Sequence, residues 1–121
     1  MSREKIVITG LCAVTPNGNH VDEYWANLIS GVSGIGPITY FDSSNHRVKI
    51  AGQLTDFDPE TILDAKEIRK LDPFSVYALV ATEEAIKMSG LDKIQFNPDR
   101  IGVTIGTGVG GIQTLEDQQR V

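Results

Sequence analysis

The chain has 121 residues, 40% of them hydrophobic, and 11 Lys and Arg against 16 Asp and Glu give a formal net charge of -5. That is the size of one ordinary domain with enough apolar material for a core, which excludes a disordered tail. The acidic balance excludes a general attraction for nucleic acid or an anionic membrane, and the single Cys excludes an internal disulfide and any multi-cysteine metal site.

Met1 to Lys5 leads straight into an apolar run with no leader-type apolar core before it, so a cytoplasmic chain is expected. Ile6-Val7-Ile8 is β-branched and apolar on both faces, the pattern of a central parallel strand covered on two sides. Pro16-Asn17-Gly18 predicts a turn, and Asn19 can cap a helix bearing Val21, Trp25, Leu28 and Ile29, ended by Gly31. From Gly31 to about Phe57 the composition is loop-like, with one short candidate strand at Val48-Lys49-Ile50-Ala51. Asp58-Pro59 reads as a cap followed by proline at the first helical position, starting a short turn through Ile62 and Leu63.

Asp64-Ala65-Lys66-Glu67 has capping-box spacing, with Asp in place of Ser or Thr, and predicts a second short helix. Asp72-Pro73 repeats the cap-plus-proline signal ahead of the strongest helix, whose predicted stripe is Phe74, Tyr77, Ala78, Ala81, Ala85 and Met88, with Gly90 as its C′ residue. Asn97-Pro98-Asp99 leads into a predicted strand, Ile101 to Ile105, then a glycine loop and a helix start near Thr114. This order is that of an α/β protein. Two strong parallel strands cannot satisfy a sheet, so the chain is expected to be the opening portion of a larger domain.

The loop "TIGTGVGGIQT" places Gly106, Gly108 and Gly111 as G-x-G-x-x-G. The dinucleotide fingerprint belongs after the first strand of its unit and needs an acid on the next strand, and no Lys-Ser or Lys-Thr follows for a Walker loop. A tight turn with positive φ and close backbone approach, or a glycine wall beside a ligand or second subunit, are the other readings. Cys12 lies in an apolar stretch with no neighbouring His or basic group to lower its pKa, so it is expected to pack in a core. His20 and His46 have no ligand-spaced partners and are expected to be solvated, and Asp58, Asp64 and Asp72 occupy cap positions. Lys66, Arg69 and Lys70 share a helix face, either as a solvated surface or as an anchor for an acidic partner.

Taken in order, "KIVITGLCAVTPNGN", "LISGVSGIGPITYFD", "KIAGQLTDFDPE", "RKLDPFSVYALVATEEAIKMSGL" and "RIGVTIGTGVGGIQTLEDQ" resemble the N-terminal part of a β-ketoacyl-acyl-carrier-protein synthase, the type II condensing enzyme of fatty acid synthesis. The resemblance spans residues 1–121 almost without gaps. It implies an incomplete first half of a thiolase-like α-β-α-β-α layered fold, in an enzyme that is an obligate homodimer and elongates acyl chains by decarboxylative condensation with malonyl-acyl carrier protein. The family's nucleophilic cysteine and two histidines match neither Cys12, His20 nor His46, and the usual glycine stands where this chain has Cys12. The chain alone is therefore expected to be catalytically silent, and no metal or cofactor is implied.

By the same resemblance, Lys66, Arg69 and Lys70 correspond to the basic patch that receives acyl carrier protein. Gly108, Val109 and Gly110 correspond to the turn at the floor of the acyl pocket, near the dimer interface. Relatives often carry a bulkier residue at the place of Val109, so a longer acyl chain is expected to fit here. The alternatives are a non-catalytic, chain-length-determining relative and, from "VITG" and the glycine loop, a nucleotide-dependent oxidoreductase.

Overall fold

A computed structural model describes residues 4–120; the leader reading of Met1, Ser2 and Arg3 lies outside the described residues. The chain divides into two compact units, one of Cys12–Asp58 and one joining the segment up to Leu11 with Pro59 onward.

In the Cys12–Asp58 unit, the Pro16-Asn17-Gly18 turn forms as predicted, closed by Thr15 and Gly18, whose backbone groups exchange hydrogen bonds of 2.9 and 3.1 Å. Helix α1 is Val21–Ile29, and Gly31 beyond its end has a φ of 70°. Its N-cap is His20 and not Asn19: the His20 Nδ1 accepts from the Glu23 N–H at 3.3 Å. Asn19 is drawn off because its side-chain amide donates to the Asp56 carbonyl at 3.0 Å, while its own N–H donates to Glu23 Oε2 at 2.7 Å.

The predicted loop from Gly31 contains an antiparallel pair, β1 (Ile35–Pro37) and β2 (Ile50–Gly52), in the register Ile35 to Gly52 and Pro37 to Ile50. β1 escapes sequence reading because Gly36 and Pro37 spell a turn, yet a two-stranded pair is all edge, where proline is tolerated. The pair is prolonged by Thr39 and Gln53, whose Oε1 accepts from the Thr39 N–H at 2.9 Å, and by the Tyr40 hydroxyl, which donates to the Leu54 carbonyl at 2.7 Å.

In the other unit a 3₁₀ turn at Pro59–Thr61 and helix α2 (Ala65–Ile68) lead into α3 (Pro73–Ser89). Gly90 closes α3 with a left-handed φ of 69° as expected, its N–H donating to the Ile86 and Lys87 carbonyls. Among the described residues the buried hydrophobic ones are Val76 and Val80, which lie off the predicted stripe. α3 carries apolar side chains around most of its circumference, so its composition marks a helix enclosed on several sides and does not single out one face. The backbone N–H of Leu11 reaches its last turns, donating to the Met88 sulfur at 3.2 Å.

Residues 6–8, predicted as a central strand, and 101–105, predicted as a second strand, join no sheet. A central strand needs a hydrogen-bonding neighbour on each edge and cover on each face. Here Ile6 is 99% exposed, Ile8 82% and Val103 77%. Cys12, expected in a core, is likewise exposed.

Candidate functional site

The glycine turn ends in helix α4, Ile112–Gln119, which starts two residues before the predicted Thr114. Its N-cap is Gly111, with φ 73° and ψ 18°. That left-handed conformation favours glycine, and a Cβ there would stand 2.9 Å from Asp72 Oδ2. A Cβ on Gly110 would stand 2.7 Å from the ring of Phe74. Positive φ and close approach are thus confined to Gly110 and Gly111. Gly106 and Gly108 have a normal φ and open space around them.

The turn borders an open groove of about 530 Å³ lined by Phe74, Val109, Gly110, Ile112 and Leu115, with Asp72 and Thr114 at its polar side. Of the predicted pocket residues, Val109 and Gly110 line it and Gly108 does not. Val109 is 75% exposed.

Asp72 departs from its expected role. It occupies the N-cap backbone position of α3, where its carbonyl accepts from Ser75 and Val76, but its side chain makes no cap hydrogen bond. Its Oδ1 instead accepts from the Thr114 hydroxyl, in the first turn of α4. Nothing local in the sequence announces this, since Asp72-Pro73 is an ordinary cap signal; Phe74, predicted as core, is likewise found as the wall facing Gly110. The position where a phosphate would meet the α4 N-terminus already holds a carboxylate, which would repel it.

The second cluster is on α2. Asp64 caps it as predicted, Oδ1 accepting from the Lys66 N–H at 2.8 Å. Arg69 is the C-cap residue, and its Nε folds back to the Ala65 carbonyl at 3.1 Å. Lys66, Arg69 and Lys70 are all exposed, and among the described residues none is ion-paired. Beside them Leu63, Leu71 and Leu79 line an open groove of about 460 Å³ with Lys70 at its rim.

The expected solvated histidines are both exposed, His20 as a cap and His46 with its ring edge-on to Phe41 at 5.3 Å. Among the described residues no group of His, Cys, Asp and Glu is placed to hold a metal.

These features define an α/β chain whose glycine turn packs on apolar side chains. Residues 3–121 match the β-ketoacyl synthase, N-terminal domain, and the chain belongs to that family. It is 44% identical to the 3-oxoacyl-[acyl-carrier-protein] synthase 2 of Synechocystis sp. over 121 residues, 100% of this chain and 29% of that one. It is 44% identical to the protein of the same name from Coxiella burnetii over 96% of this chain and 28% of the relative. The Staphylococcus aureus (strain COL) protein of that name is 46% identical over the same shares. The solved ishigamide ketosynthase/chain length factor aligns with a TM-score of 0.75 and 29% identity, covering 94% of this chain and 29% of that one. The chain therefore has the ketosynthase, thiolase-like fold over 94% of its length and spans under a third of these relatives. Membership in the family replaces the oxidoreductase reading.

Proposed function

We infer that this chain is the N-terminal segment of a 3-oxoacyl-[acyl-carrier-protein] synthase that elongates acyl chains in fatty acid biosynthesis. Its carrying observation is the in-order likeness of all 121 residues to synthase 2 enzymes. The reaction acylates a cysteine thiolate, then joins the acyl carbon to the carbanion left when malonyl-acyl carrier protein loses CO2. A new C–C bond replaces the acyl–sulfur bond, and fixed donors hold the oxyanion.

This segment supplies none of the nucleophilic chemistry. It supplies Val109 and Gly110, with Gly108 in the preceding turn, as a wall for the acyl chain. It also supplies Lys66, Arg69 and Lys70 as the contact for an acidic acyl carrier protein. The enzyme works as a homodimer in the cytoplasm without a cofactor. In the described residues no helix is long and apolar enough to cross a membrane.

The test is the polypeptide that carries this segment in its natural context, given acyl- and malonyl-acyl carrier protein. Release of CO2 with formation of 3-oxoacyl product is expected, whereas the 121-residue chain by itself forms none. The chain length factor likeness favours a second reading, a non-catalytic partner. That reading predicts no acyl-enzyme, but a changed product length when the polypeptide is paired with a separate ketosynthase.

A further inference from the structure

Asp72 is shared between two helices. It begins α3 through its backbone, leaves its carboxylate out of that helix's cap, and gives Oδ1 to the Thr114 hydroxyl in α4. Its Oδ2 lies 2.9 Å from the point a Gly111 Cβ would occupy, so the carboxylate stands against the cap of α4. Gly111 has no side chain with which to cap α4, and a negative charge at a helix N-terminus is favourable. Two positions along, Phe74 closes on Gly110 at the distance where any Cβ would collide. Val109 therefore sits next to a turn gripped on its helical side by a hydrogen bond and a ring, while on the other side a Cβ added to Gly106 or Gly108 would meet open space.

We propose that Asp72 and Thr114 form a latch that positions the Val109 turn and thereby sets which acyl lengths the groove accepts. The proposal rests on the synthase reading for its substrate and on the geometry alone for its mechanical part. With the hydroxyl removed, α4 and the turn lose the fixed tie to α3. Val109 then withdraws from the groove, and longer chains gain relative to shorter ones.

The test uses the Synechocystis synthase with residues 3–121 of this chain in place of its matching segment. Thr114→Val keeps the shape and removes the donor; Thr114→Ser keeps the donor; Asp72→Asn keeps an acceptor. In Thr114→Val, amide exchange across residues 106–112 is expected to speed up. The ratio of kcat/KM for long over short acyl substrates should rise about tenfold, the scale on which apolar pockets discriminate by a methylene or so. Thr114→Ser should restore both readouts, and Asp72→Asn should hold exchange closer to the parent than Asp72→Ala does.

Unchanged exchange in Thr114→Val overturns the latch. Faster exchange with an unchanged length ratio, or a loss equal for all lengths that Ser does not restore, overturns its role in specificity. A folded but inactive graft would count against the synthase reading, and with no acyl selection left to set it would overturn the specificity role too, while the exchange comparison would still decide the mechanical part.

Discussion

Gly110 is the position where one added carbon has the clearest consequence. Alanine there would place its Cβ 2.7 Å from two ring carbons of Phe74. Phe74 lies in the first turn of α3, so its backbone is held in the helix and has little freedom to retreat. Overpacking of this kind costs about 1–3 kcal/mol, and Gly110→Ala should lower the urea midpoint of the grafted synthase accordingly. Adding Phe74→Leu should recover part of the loss, because residues in contact do not add independently; strictly additive losses would contradict the contact. The neighbouring Val109 is tested by Val109→Phe, which fills the groove and should shorten the longest acyl chain used. Equal use of short and long chains by mutant and parent counts against a pocket role. Asp42 offers a pH readout within the Cys12–Asp58 unit. Its carboxyl is held below the usual Asp range, first by the Ser44 N–H, 2.9 Å from Oδ1, and then by the Ser44 side chain. A depressed folded pKa stabilises above the unfolded value, and that contribution disappears as pH falls through the folded one. Carboxyl NMR should give a midpoint below that of free Asp, and Ser44→Ala should raise it only partway because the backbone donor remains.

Among the elements, α2 is four residues long and depends on its first cap. Asp64→Ala removes the acceptor for the Lys66 N–H and should cost about 1 kcal/mol, with faster amide exchange at residues 66–69. Asp64→Asn should retain most of the protection, and equal protection in all three proteins would show the cap to be idle. This element was legible because its signal is local, and so were the turn at Pro59 and the Gly90 stop. Asn19 misled because its side chain is claimed by Asp56, 37 residues away. Residues 6–8 and 101–105 carry true strand patterns, but a strand exists only with its neighbours, and none is available among the described residues. Of the candidate site, the glycine turn and the cations could be picked out by motif and resemblance. The Asp72–Thr114 pair could not, since its partners are 42 residues apart and either residue alone has an ordinary local explanation.

Over the whole molecule, a net charge of -5 makes three adjacent unpaired cations a local exception. Exposed Lys and Arg with no ion-pair partner add little to stability, so beyond the Arg69 bond to the Ala65 carbonyl their reversal should leave folding nearly unchanged. What they can alter is encounter with an acidic protein, because an attractive patch speeds association and fixes orientation. The double reversal Lys66→Glu and Arg69→Glu in the grafted synthase should therefore raise KM for acyl carrier protein substrates, by roughly tenfold at low salt. At ~1 M salt, where the screening length is about 3 Å, the difference should shrink towards parity. Acyl-CoA surrogates carry no acidic protein surface, and their KM should stay near the parent value. kcat should hold for both, since the cations touch no reacting atom. A rise in KM of the same size for carrier-protein and CoA substrates would locate the effect in the pocket and defeat the docking role. A rise that salt does not diminish would show that shape, not charge, was lost.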